Sequence, residues 1–166
     1  MENNNFDDEK KTILIVDDEQ KIVDLLVHNL TREGYNTIEA NDGQTAIDLA
    51  ISQRPDLILL DVMIPRVDGL TVCKKIKNYY NVPILMVSAK DDELDKIVGL
   101  EIGADDYITK PFSVREVVAR VKANLRKSET HYDSLKSSHD SDSHKETKKQ
   151  NTIKIGDLTL DLEKYE

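Results

Sequence analysis

Short apolar runs alternate along this chain with longer stretches in which apolar residues return every third or fourth position. The runs fall at residues 12–16, 36–40, 56–60, 83–87 and 106–109, and they are rich in β-branched side chains. TILIV, DLILL and ILMV are nearly continuous, as expected of strands buried on both faces. The run at 36–40 carries Glu39 and is the weakest strand pattern. Between the runs, Ile22, Leu26 and Leu30 form one helical stripe, with Gly34 as its stop signal. Ala46, Ile47, Leu49 and Ala50 form a second, and Leu70, Cys73 and Ile76 a third. Residues 91–102 carry Leu94, Ile97, Val98 and Ile102; residues 113–127 carry Val114, Val117, Val118, Val121 and Leu125. Ser113 and Glu116 open that last segment with the spacing of a capping box. Five strands alternating with five helices predict an α/β fold, a doubly wound parallel sheet covered on both faces.

The polar residues that follow these runs suggest chemistry. Asp17 and Asp18 follow the first run, Asp61 the third, Ser88 the fourth and Lys110 the fifth. In a parallel sheet the carboxyl ends of the strands share one edge, where ligands bind. Three carboxylates, a hydroxyl and an ammonium would then converge. Adjacent carboxylates repel unless a cation sits between them. Mg²⁺ suits such an oxygen-rich set. Asp61 can act as a nucleophile toward a phosphoryl donor, with Lys110 neutralising developing charge and Ser88 donating to a phosphate oxygen. Each residue also fits an ordinary role: Asp18 as a helix cap, Lys110 as a surface lysine, Ser88 as a loop serine.

Composition narrows the setting. The chain has 166 residues, room for one typical domain and a tail. No apolar stretch is long enough to span a membrane. With Cys73 the single cysteine, a reducing cytoplasm is the expected location. The net charge is −9, from 32 acidic and 23 basic side chains. Such a chain is not built to hold nucleic acid by general electrostatics. Residues 1–11 read as a disordered terminus and residues 12–127 as the folded domain. Residues 128–151, rich in Ser, His, Lys and Asp, read as a flexible linker. Residues 152–166 alternate again around Gly156 and Asp157, the pattern of a short hairpin.

VDDE at 16–19, LLDVMIPRVDG at 59–69, VSA at 87–89 and GADDYITKPFS at 103–113 resemble the receiver domain of two-component response regulators. The likeness covers residues 11–127 and all four motifs in order. It implies the strand order 2-1-3-4-5 of the flavodoxin-like, CheY-like fold. It also implies that Asp61 accepts a phosphoryl group from a sensor histidine kinase. Asp17, Asp18, Asp61 and the Met63 backbone carbonyl would hold Mg²⁺, and Lys110, followed by a cis bond to Pro111, would bind the phosphoryl group. Ser88 and Tyr107 would be the switch pair. The fourth helical segment, fifth strand and fifth helical segment resemble the OmpR/PhoB branch, whose active receivers pair through this face. That likeness implies a homodimer with Lys96–Glu116 and Asp105 or Asp106–Arg120 ion pairs around Ile97, Leu100 and Ala119. IKIGDLTLDLEKYE resembles the opening strands of that branch's winged-helix domain. The chain therefore reads as truncated, with promoter binding and transcription regulation expected of a longer parent.

Three other readings compete. A haloacid-dehalogenase-like phosphotransferase would place an acid two residues after its nucleophile, where this chain has Met63. A flavodoxin-like cofactor binder would need phosphate-cradling loops where this chain has carboxylates. A chemotaxis-type receiver acting through protein contacts alone would need neither linker nor hairpin.

Overall fold

The computed structural model describes residues 9–89, 97, 101–137, 152–155 and 158–161. Side chains are described up to Thr130. The strands are β1 (Thr12–Val16), β2 (Asn36–Ala40), β3 (Leu57–Asp61), β4 (Ile84–Ala89) and β5 (Asp106–Lys110). Helices α1 (Gln20–Arg32), α2 (Gly43–Gln53) and α3 (Gly69–Tyr79) lie between them, and a long helix, Val114–Ser137, follows β5. Of the expected helical segment 91–102, Ile97, Glu101 and Ile102 are described and are helical.

The five strands form one parallel sheet in the order β2-β1-β3-β4-β5, as expected. Strand side chains alternate between faces, and the two cores follow that period. Leu14, Val16, Ile58, Leu60, Ile84 and Met86 pack with Ala46, Ile47 and Ala50 of α2 and Val72, Cys73 and Ile76 of α3. Ile13, Ile15, Leu57, Leu59, Leu85, Val87 and Ile108 pack with Val23, Leu26 and Leu30 of α1 and with Val117, Val121 and Leu125 of the long helix. Every residue of β3 is buried, which explains its unbroken apolar run. The edge strand β2 tolerates Glu39 because that position is exposed.

Three strands reach further than the apolar pattern. β3 ends at Asp61, β4 includes Ser88 and β5 includes Lys110. The cause is pairing between neighbours: Asp61 lies opposite Val87, Ser88 opposite Thr109 and Ala89 opposite Lys110. These polar residues are therefore held in the sheet at its carboxyl edge, where loops would have left them freer.

The long helix also overruns its expected end at residue 127. No Gly or Pro interrupts it before Ser137, so its last turns enter the stretch read as linker. Thr130 Oγ1 bonds back to the Arg126 carbonyl at 2.9 Å. The Ser113 hydroxyl accepts from the Glu116 N–H at 3.1 Å, one half of the expected capping box. The Glu116 side chain is turned to Arg120 instead, at 3.3 Å. The chain divides into two units at Asp133/Ser134. The second contains an antiparallel hairpin, Thr152–Ile155 against Leu158–Asp161, in line with the alternating pattern there.

Candidate functional site

Each acidic residue is placed by a different local device. The Asp17 N–H bonds the Ala40 carbonyl at 3.2 Å, tying the turn after β1 to the end of β2. Asp17 Oδ1 accepts from the Glu19 N–H at 2.9 Å, closing a turn that leads into α1. The helix itself begins without a side-chain cap at Glu19. Asp18 therefore does not cap it and stands exposed. Asp61, at the end of the buried strand, accepts at Oδ1 from the Met63 N–H at 3.1 Å.

The loop after Asp61 is pressed against its surroundings by two glycines. A Cβ on Gly69 would run into the Asp61 carbonyl oxygen and Val62 Cα, and one on Gly43 would run into Val67. Both glycines sit in the same phrase, Asp-Gly-X-Thr. Asp42 caps α2 through the Thr45 N–H at 2.8 Å, and Asp68 caps α3 through the Thr71 N–H at 3.0 Å. An acid three residues before a threonine is an N-cap signal that sequence reasoning passed over here. These caps fix the two helix starts that flank the loop carrying Met63.

The carboxyl oxygens of Asp17, Asp18 and Asp61 lie within 4.8 Å of one another, so the three converge as expected. Lys110 joins them: its Nζ is 3.0 Å from Asp17 Oδ2 and 2.9 Å from Asp61 Oδ2. Burial raises the Asp61 pKa above the ordinary 3.8. Hydrogen bonds from Lys110 and the Met63 N–H work against that rise, while the Asp17 charge adds to it. Burial by itself would lower the Lys110 pKa, but hydrogen bonds to Asp61 and Asp17 outweigh it and hold the ammonium charged. Three carboxylates against one ammonium leave the site negative. The all-oxygen donor set of Asp17, Asp18 and Asp61 suits a hard divalent cation.

Ser88 and Tyr107 are buried. The Ser88 hydroxyl has no hydrogen-bond partner among the described residues. A buried hydroxyl left so costs about 1–3 kcal/mol, which suits a group waiting for an incoming acceptor. The Lys110–Pro111 peptide is cis, as the resemblance implies.

A family model for the response regulator receiver domain matches residues 13–122. The chain belongs to that family. Solved structures agree with it. The receiver domain of Francisella response regulator 1452 is 35% identical, with TM-score 0.68, over 72% of this chain and 99% of that one. The beryllofluoride-activated receiver domain of Klebsiella pneumoniae RstA is 30% identical, with TM-score 0.67, over 70% and 99%. The NtrX receiver domain of Brucella abortus is 32% identical, with TM-score 0.66, over 69% and 98%.

The described charged residues around β5 and the long helix make ion pairs of their own. Asp106 Oδ1 is 2.8 Å from Arg120 Nη1, and Asp106 Oδ2 accepts from Asn124 Nδ2 at 3.1 Å. Asn124 is buried, and its bond to Asp106 links two elements with no periodic signal in the sequence. Asp105 faces a different neighbour: its Oδ2 takes Lys77 Nζ at 2.6 Å and the Ile84 N–H at 2.8 Å. Within this chain, then, Asp106 and Glu116 hold Arg120, and Asp105 is committed to the start of β4. Ile97 is 55% exposed, and Ala119 is exposed. Lys96 and Leu100 lie outside the described residues. Among the described residues no helix is long and apolar enough to cross a membrane.

Proposed function

We propose that this receiver is a phosphorylation-operated switch in which Asp61 takes a phosphoryl group from the phosphohistidine of a sensor histidine kinase. The observation that carries the reading is the acidic triplet with Lys110 bridging two of its members. An Asp61 carboxylate oxygen attacks phosphorus, the P–N bond breaks as the P–O bond forms, and imidazole leaves. Asp17, Asp18, Asp61 and the Met63 carbonyl would hold Mg²⁺. When bound, the ion neutralises charge on the transferring oxygens. Lys110 holds the carboxylate in place before the reaction and pairs with the phosphoryl oxygens after it. Ser88, buried without a partner among the described residues, gains one by donating to a phosphoryl oxygen. Tyr107, beside the same strand, is the second member of the switch pair.

The output we propose is pairing of two copies, as in the OmpR/PhoB branch, through the face containing Ile97, Asp106, Glu116, Ala119 and Arg120, with Lys96 and Leu100. Because Arg120 already holds Asp106 and Glu116 within its own chain, intersubunit pairs form by exchange of partners. Self-complementary pairs of this kind suit a twofold interface. The hairpin at 152–161 supports a winged-helix continuation and promoter binding by a longer parent.

Intact-mass analysis after incubation with acetyl phosphate and Mg²⁺ tests the reading. One phosphoryl adduct is expected, lost on adding a chelator and absent in Asp61→Asn. An undiminished adduct in Asp61→Asn would remove Asp61 from its role.

A further inference from the structure

We propose that Asn41 is a positioning residue for the acidic turn, setting where the Asp18 carboxylate points and so how tightly the site takes a divalent cation. The proposal deepens the metal-dependent reading above and rests on it.

Both peptide units flanking Asp17 are fastened to the end of β2. On one side the Asp17 N–H bonds the Ala40 carbonyl at 3.2 Å. On the other, Asn41 Nδ2 donates to the Asp17 carbonyl at 3.1 Å. That carbonyl belongs to the peptide plane joining Asp17 to Asp18. Holding the plane sets the direction in which the Asp18 side chain leaves the backbone. Among the described residues nothing else does so. The Asp18 carboxylate has no hydrogen bond or ion pair among the described residues, whereas Asp17 and Asp61 are each held by Lys110 and a backbone N–H.

The orientation of Asn41 is itself determined. Its Nδ2 also donates to Gln20 Oε1 at 3.3 Å, and Gln20 Nε2 donates to Asp24 Oδ1 at 2.8 Å and Glu39 Oε1 at 3.3 Å. Ionised carboxylates only accept. Asp24 and Glu39 therefore turn the Gln20 amide N–H outward and its oxygen toward Asn41, which must answer with its own NH₂. A reversed Asn41 would set oxygen against oxygen at both contacts. An aspartate there would do the same and add another negative charge beside the triplet. Outer groups that orient metal ligands in this way typically change metal affinity when removed.

Calorimetric titration of the full chain with Mg²⁺, paired with the Mg²⁺ dependence of phosphorylation by acetyl phosphate, tests this. Asn41→Ala is expected to raise the Mg²⁺ dissociation constant about tenfold. Half-maximal phosphorylation shifts to higher Mg²⁺ in step, while the rate at saturating Mg²⁺ stays at the wild-type level. Gln20→Ala shifts affinity less in the same direction, and the double variant is no weaker than Asn41→Ala alone. Should Asn41→Ala fail to fold without metal, Gln20→Ala carries the test, and wild-type affinity there overturns the proposal. Wild-type affinity in a folded Asn41→Ala, or a lower saturating rate at unchanged affinity, overturns it as well. A wild-type chain that takes up no Mg²⁺ overturns both the proposal and the reading beneath it.

Discussion

The Asp61 carboxyl is held in a setting that costs the metal-free protein stability. Its folded pKa lies above 3.8, chiefly through burial, so the stability it contributes is present below the unfolded pKa and lost as pH rises through the folded one. Asp61→Asn never ionises and escapes that loss. Its unfolding midpoint in chelator at pH 7 is expected to exceed the wild-type value, and an equal or lower midpoint contradicts the electrostatic account. Ser88→Ala removes a buried hydroxyl that has no partner among the described residues, so the unphosphorylated chain is expected to unfold at or above the wild-type temperature. A loss of stability in that variant would show that the hydroxyl is already bonded. At this scale, Asp17, Asp18, Asp61 and Lys110 were legible because each stands where an apolar run ends. Asn41 and Asn124 were not, because a side chain that bridges two elements leaves no period in the chain. The resemblance offered Asp105 or Asp106 to Arg120 of a second copy; within one chain Asp106 takes Arg120 and Asp105 turns to Lys77.

The elements are fastened by short polar signals as much as by apolar stripes. Asp42 and Asp68 cap α2 and α3, and the N–H groups they accept hold both carboxyls below the ordinary range. Their sign is opposite to that of Asp61. The stability they contribute is present above the unfolded pKa and lost as pH falls through the folded one. Asp68→Ala is expected to cost about 1 kcal/mol at neutral pH, with the deficit shrinking in acid; a deficit independent of pH would contradict the cap. Gly69→Ala drives a Cβ into the Asp61 carbonyl and is expected to cost about 3 kcal/mol in denaturant unfolding. It should also slow phosphorylation, since the backbone beneath Asp61, the proposed phosphoacceptor, must move. All five strands were legible from their apolar runs. Their last residues were not, because pairing with neighbours carries β3, β4 and β5 past the apolar positions. The long helix was misjudged at the other limit, since polar composition alone does not stop a helix that lacks Gly and Pro.

For the whole molecule, alternation within each strand implied two cores, and the structure divides Leu14 from Ile15 and Leu59 from Leu60 accordingly. Strand order came from the likeness of four motifs, because periodicity says nothing of which strands are neighbours. Relations between copies were least legible: the charges at Asp106, Glu116 and Arg120 satisfy one another inside a single chain. Sizing with beryllofluoride and Mg²⁺ is expected to show a dimer that Arg120→Ala weakens, and a chain that stays monomeric contradicts pairing through that face. The account as a whole stands on one acyl phosphate at one position. Borohydride reduces an aspartyl phosphate to an alcohol, and peptide mapping after acetyl phosphate and Mg²⁺ treatment locates the reduced side chain. Reduction at Asp61 alone is the expected result; reduction at Asp17 or Asp18, or at no aspartate, would contradict it.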